Sequence, residues 1–185
     1  MITVKRNNGF TLIELMIVIA IASVLLTIGV PAMTSMIRGN ELKSSRSTVL
    51  NTLAYSRGES AARREQVIVC SSIDGLTCSG ATDWSNGWII FRDLNTDNAL
   101  TIADCDPASE CLLRVQDALP DQVAFNSPGT FLGYTDIGTR VVDGLSSFRL
   151  CAGDAEAADD SSRSFTFNIT DAGLNRISGG TVSCP

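Results

Sequence analysis

Hydrophobic positions fall along this chain in three successive patterns, and each predicts a different environment. From Phe10 to Met33 the only charged residue is Glu14. As a helix this run reaches about 36 Å, enough to cross the hydrocarbon core of a bilayer, so a single membrane helix is predicted over residues 10–33. Lys5 and Arg6 precede it; the positive-inside rule therefore keeps residues 1–9 in the cytoplasm and carries everything after Met33 across the membrane. Beyond the run, Leu42, Val49, Leu50, Leu53, Ala54, Ala61 and Ala62 recur at helical spacing, with Lys43, Arg46, Arg57 and Arg64 mostly on other faces. The same helix is thus expected to leave the membrane, bend at Gly29 and Pro31, where proline removes a backbone hydrogen bond, and lay an apolar stripe on a domain core. It should end near Arg64-Glu65.

At Gln66 the pattern becomes that of strands. Gln66–Cys70, Gly87–Phe91, Leu112–Val115, Gln122–Phe125, Ser147–Cys151 and Ser164–Ile169 are short, β-branched or aromatic, and separated by Gly, Asn, Asp, Ser or Pro. They predict an antiparallel sheet. Gly153 to Ser162 is acidic and built of small residues, which predicts an exposed loop. The fold class that follows is α+β: a long N-terminal helix, half membrane-bound and half amphipathic, packed on an antiparallel β-sheet domain.

Composition narrows the function classes. The 185 residues leave room for one globular domain of about 150 after the membrane run. The formal charge is −6, and a net-acidic chain offers few cations to phosphates, so general nucleic-acid binding is disfavoured. All six cysteines, Cys70, Cys78, Cys105, Cys111, Cys151 and Cys184, follow the membrane run. An even count in an oxidising compartment reads as disulfides, although six cysteines permit many connectivities. The pairing expected is Cys70–Cys78, Cys105–Cys111 and Cys151–Cys184: the first two close short polar loops, and the third fastens the C-terminus to a strand. Histidine is absent, as is Cys-x-x-Cys, which argues against a zinc site. Without histidine, Gly-x-Ser-x-Gly or a phosphate loop, a nucleophile and base have few candidate members. The chain is expected to be neither an enzyme nor cofactor-dependent.

Two stretches carry candidate chemistry. A carboxylate such as Glu14 inside an apolar span costs about 2.5–3.5 kcal/mol on insertion scales and calls for a partner, yet no basic residue lies between Arg6 and Arg38. Cleavage between Gly9 and Phe10 would supply one, because the new α-ammonium would stand one turn from Glu14. Asp93-Leu94-Asn95-Thr96-Asp97-Asn98, followed by Asp104, has the oxygen-ligand spacing of a calcium loop, with Asn98 where that loop carries glycine. The flanking segments read as strands rather than helices, so an Asx-rich hairpin turn is the expected structure and no metal is assigned.

A short basic leader followed by Gly9-Phe10-Thr11-Leu12-Ile13-Glu14-Leu15 and an apolar helix resembles type IV pilins and type II secretion pseudopilins. The resemblance implies that a prepilin peptidase cleaves after Gly9 and methylates Phe10, and that Glu14 pairs with the terminal amine of a subunit already in a filament. It divides the chain into a leader (1–9), a membrane and filament-core helix (10–33) and a periplasmic domain (34–185), anchored in the inner membrane before assembly with other pilin subunits. The stretches from Ala54 to Arg64, Val67 to Cys70 and Trp84 to Asn95 narrow the likeness to the FimT/GspH branch of minor pilins and pseudopilins. Trp84 and Trp88 read as core or turn anchors. The function implied is a minor pilin or pseudopilin that joins a type IV pilus or primes its assembly, the alternatives being a type II secretion pseudopilus subunit or a DNA receptor for natural transformation. DNA-binding relatives carry Gly-Arg-x-Arg on a C-terminal hairpin. Here the matching stretch is Gly173-Leu174-Asn175-Arg176, so Arg176 is kept while Leu174 replaces the first arginine; Arg163, Arg140 and Arg149 are the nearby cations. Assembly without DNA binding is the expected outcome.

Overall fold

The structure, a computed structural model, describes residues 10–100, 111–152 and 163–179. Helix α1 spans Leu12–Arg63, and its helical assignment runs unbroken through Gly29 and Pro31. The chain separates into two compact units, one up to Arg38 and one from Gly39 onward.

In the first unit every residue from Phe10 to Val30 is exposed. Leu12–Val30 is long and apolar enough to cross a membrane. Its few hydroxyls bond within the helix, as Thr27 Oγ1 does to the Val24 carbonyl at 2.8 Å, which suits a solvent that offers no hydrogen bonds.

In the second unit α1 buries a face made of Leu42, Ser45, Val49, Thr52, Leu53, Ser56 and Ser60. The apolar stripe expected from the sequence is therefore only half right: Leu42, Val49 and Leu53 face the core, while Ala54, Ala61 and Ala62 are exposed. Small hydroxyl residues take the remaining buried positions; Ser45 Oγ has no hydrogen-bond partner among the described residues, whereas Ser56 and Ser60 are satisfied locally. Ser56 Oγ donates to the Thr52 carbonyl at 2.8 Å and Ser60 Oγ to that of Arg57 at 2.9 Å, so their burial costs little. Thr52 Oγ1 accepts the indole N–H of Trp88 at 3.0 Å. The helix ends in a Schellman turn: Arg64 takes φ 56°, and the Glu65 N–H reaches the Ser60 carbonyl at 3.3 Å.

All six predicted strands are present, each end within two residues of the expectation, and two more join them. The strands are β1 (Gln66–Ser71), β2 (Trp88–Asp93), β3 (Leu112–Gln116), β4 (Val123–Asn126), β5 (Phe131–Tyr134), β6 (Ser147–Ala152), β7 (Ser164–Ile169) and β8 (Asn175–Gly179). They form two four-stranded antiparallel sheets, ordered β3-β2-β1-β5 and β4-β6-β7-β8, where the sequence suggested one. The split follows from alternation. Val67 and Val69 of β1, with Trp88 and Ile90 of β2, enter the main core with α1 and the second sheet's Phe125, Phe148, Leu150 and Phe167. The intervening Ile68, Cys70, Ile89 and Phe91 are fully buried in a smaller cluster on the opposite face. Strands buried on both faces read as continuous apolar runs, which hides the second layer from a sequence pattern. Trp84 packs edge-on to Phe148 at 5.0 Å, and Phe148 stacks on Phe125 at 5.3 Å; the two tryptophans are core anchors.

Cys70 and Cys78 are bridged, as expected. Cys111 and Cys151 are disulfide-bonded too; the partners assigned to them, Cys105 and Cys184, lie outside the described residues, as does the loop predicted over 153–162. Inside the Cys70–Cys78 loop, Asp74 accepts the backbone N–H groups of Leu76 and Thr77, each at 2.8 Å, and the Thr77 hydroxyl at 2.7 Å. Those bonds hold its carboxyl far below its ordinary 3.8.

Candidate functional site

At the start of α1 the side chains of Thr11 and Glu14 form a reciprocal cap. Thr11 N–H and the Thr11 hydroxyl both donate to Glu14 Oε2 at 2.9 Å, and Glu14 N–H donates to Thr11 Oγ1 at 3.3 Å. This is a capping box: two backbone donors that a helix start leaves open are closed by its own side chains. Glu14 thus has an internal partner before any ammonium arrives. The sequence signal of such a cap is Thr-x-x-Glu ahead of an apolar run, here Thr11 and Glu14. Both Thr11 donors converge on Oε2, so among the described residues Oε1 accepts no hydrogen bond. Phe10, 89% exposed, lies just outside the cap; Gly9 lies outside the described residues.

The C-terminal hairpin joins β7 to β8. Gly173 takes φ 73°, its N–H reaches the Thr170 carbonyl at 2.8 Å, and Leu174 N–H donates to Thr170 Oγ1 at 3.1 Å. A Cβ on Gly173 would stand 2.1 Å from the Gly138 carbonyl oxygen, so the 135–139 turn and this tip meet at a spot that admits only glycine. Arg57 of α1 reaches across both, donating from Nε to the Gly138 carbonyl at 2.9 Å and from Nη2 to that of Ala172 at 3.2 Å. The sequence pattern puts Arg57 mostly off the apolar stripe; nothing in helical periodicity signals a long-range clamp.

The candidate DNA-contacting residues are not brought together. Arg176 is exposed on β8 opposite Asn168, whereas Arg163 precedes the other end of β7, about 17 Å away by strand rise. Arg163 and Arg149 are each already engaged in a contact. Arg140 is spent on the Asp171 carboxylate at 2.5 Å and the Gly144 carbonyl at 2.7 Å. Leu174, in place of the first arginine of the relatives, is exposed.

The acidic loop after β2 is closed by Asx turns. Asp93 is buried, and its Oδ2 accepts from Gln66 Nε2 at 2.7 Å and Asn98 N–H at 2.9 Å. Asn95 Oδ1 accepts from Asp97 N–H at 3.0 Å and Asp97 Oδ1 from Ala99 N–H at 2.8 Å. Thr96 and Asn98 adopt φ of 60° and 61°. Asp93 Oδ1 is buried without a partner, but one oxygen falls well short of the six to eight that calcium takes. Among the described residues no cluster of candidate ligands gathers; Asp104 lies outside them.

Two families match this chain. The prokaryotic N-terminal methylation motif covers residues 4–30, and the family described as type II transport protein GspH covers residues 47–173, well over half of the sequence. The chain belongs to the GspH family. It is therefore a subunit of the minor pilin and pseudopilin type. In fold this GspH-family chain is similar to the type IV minor pilin FimU of Pseudomonas aeruginosa strain PAO1, with a TM-score of 0.55 and 19% identity over 78% of this chain and 93% of that one. The minor pseudopilin EpsH from the type 2 secretion system of Vibrio cholerae also aligns, with a TM-score of 0.47 and 11% identity over 78% and 99% of the respective chains. No curated protein matches the GspH-family chain significantly.

Proposed function

We propose that this chain is a minor pilin-type subunit that is cleaved between Gly9 and Phe10, methylated on Phe10 and passed from the inner membrane into a filament. Its domain, on this reading, lies in the periplasm. The observation that carries the proposal is the start of α1: a methylation motif over residues 4–30, an apolar helix exposed on every side, and a Glu14 whose Oε2 is occupied by Thr11 while Oε1 accepts no hydrogen bond among the described residues. That open oxygen is where the α-ammonium of Phe10, from the same or a neighbouring subunit, would be received, charge against charge in a medium that leaves neither alone.

Removing Lys5 and Arg6 with the leader takes the formal charge from −6 to −8. Placement in a tip or priming complex, rather than the shaft, fits a minor family member with many loops. Mass spectrometry of the membrane-extracted protein tests the processing step: the expected N-terminus is methylated Phe10. A terminus at Met1, or one created near Ala32, would remove the pilin reading.

A further inference from the structure

Three turns at one end of the domain are fastened into a single platform by two arginines. Arg57 holds the 135–139 turn to the 170–174 tip through the Gly138 and Ala172 carbonyls. Arg140 joins the 141–144 turn to the same tip: its Nη1 donates to the Val142 and Gly144 carbonyls at 3.3 and 2.7 Å, its Nη2 bonds Asp171, and its N–H donates to the Asp171 carbonyl at 3.0 Å. The Arg57 guanidinium is held by two backbone carbonyls and that of Arg140 by backbone carbonyls and the Asp171 carboxylate, so neither is free to serve as a surface cation. What the platform presents outward is aliphatic: Ile137 is 73% exposed, Val142 86% and Leu174 53%. Asp136, Asp143 and Asp171 stand exposed around them.

Fixing irregular turns in one arrangement lowers the ordering cost of binding, and exposed aliphatic residues on three joined turns call for a partner. The area decides which. Together the three residues expose roughly 400 Å², about half of what one partner contributes to a stable stand-alone interface. A contact of that size holds only where something else keeps the partner close, as packed membrane helices in a shared filament would through effective concentration.

We propose that Ile137, Val142 and Leu174 form a docking face for the globular domain of a neighbouring filament subunit, which meets them with aliphatic side chains flanked by lysine or arginine. The acidic rim favours such cations and repels phosphate, which sets this face apart from a nucleic-acid site. This inference rests on the filament reading given above, and the test separates the two.

A photo-cross-linking amino acid is placed at Val142 of the full chain, and separately at Met16 in the apolar helix, in cells carrying the assembly machinery. Both positions should give adducts with another pilin-type subunit, and the Val142 adduct should vanish when Glu14→Val blocks incorporation. In parallel, Val142→Asp combined with Leu174→Asp, both at exposed positions, should leave the processed protein at its normal membrane level while filament incorporation falls at least tenfold. Subunit adducts from Met16, with none from Val142 or only adducts within the chain or to DNA, would overturn the docking face and leave the filament reading standing. Absence of subunit adducts from both positions would overturn both, and wild-type incorporation of the double variant would overturn the docking face.

Discussion

Arg64 closes α1 in a left-handed conformation, which costs a side-chain-bearing residue about 1–2 kcal/mol and glycine almost nothing. No interaction partner in the described structure compensates for that conformation. Arg64→Gly should accordingly raise the stability of the domain by about 0.5–1 kcal/mol after the extra unfolded-state entropy of glycine is counted, read as a higher midpoint in urea. Asp74 gives a pH-dependent counterpart. Its carboxyl titrates lower in the folded chain than unfolded, so the stabilisation is complete above about pH 5 and is lost as pH falls through 3.8 and below. Asp74→Asn should be less stable than the parent at pH 6, and the gap should close on acidification toward pH 2; a gap that stays constant would mean the carboxylate charge is irrelevant. At this scale the sequence is most readable where a residue type has one physical use. Trp84 and Trp88 could be placed in the core because large aromatic side chains rarely have another destination. Arg57 and Arg140 could not be placed as clamps: Arg57 reaches carbonyls 81 and 115 residues away and Arg140 a carboxylate 31 residues away, and every residue offers a carbonyl. Thr11 is readable in its spacing to Glu14, since Thr-x-x-Glu ahead of an apolar run marks a capping box.

The elements were legible in proportion to their apolar content. β1, β2 and β7 announce themselves through β-branched and aromatic residues, whereas β5, Phe-Leu-Gly-Tyr, is cut by a glycine that looks like a loop marker. That glycine is required: a Cβ on Gly133 would stand 2.7 Å from both Ile68 Cδ1 and Val141 Cγ2, because β5 is pressed between a neighbouring strand and a covering turn. β8, Asn-Arg-Ile-Ser-Gly, lies at a sheet edge with one apolar residue and carries no alternation to detect. The hydroxyl-lined face of α1 escaped for a related reason, since hydrophobicity alone cannot tell a serine bonded to its own helix from one that needs water. The Cys70–Cys78 bridge is an element-scale device whose effect can be measured. It closes a loop of separation 8, and chain-entropy arguments assign such a loop about 2.5 kcal/mol. Cys70→Ala with Cys78→Ala should lower unfolding free energy by about 2 kcal/mol while the far-ultraviolet circular dichroism of both sheets is retained.

Over the whole molecule, an acidic balance and scattered arginines oppose phosphate binding. Residues 38–185 should leave a labelled duplex unshifted even at low salt, where any nucleic-acid affinity is greatest, and Arg176→Gln and Arg163→Gln should change nothing. A robust low-salt shift that Arg176→Gln eliminates would reassign the chain to DNA uptake. The strand order carries a further consequence, one of timing. After β3 the chain leaves the first sheet to lay down β4 in the second, returns to place β5 beside β1, and only then completes the second sheet with β6, β7 and β8. Neither sheet can therefore be finished from a contiguous stretch of chain. A polypeptide made from its N-terminus exposes β1 along the edge where β5 belongs until Phe131–Tyr134 has emerged, and an open strand edge is a template for any other strand nearby. The interval between the emergence of Ser71 and of Tyr134 is thus when the growing chain is most exposed to mispairing, and when a holding chaperone matters most to its yield.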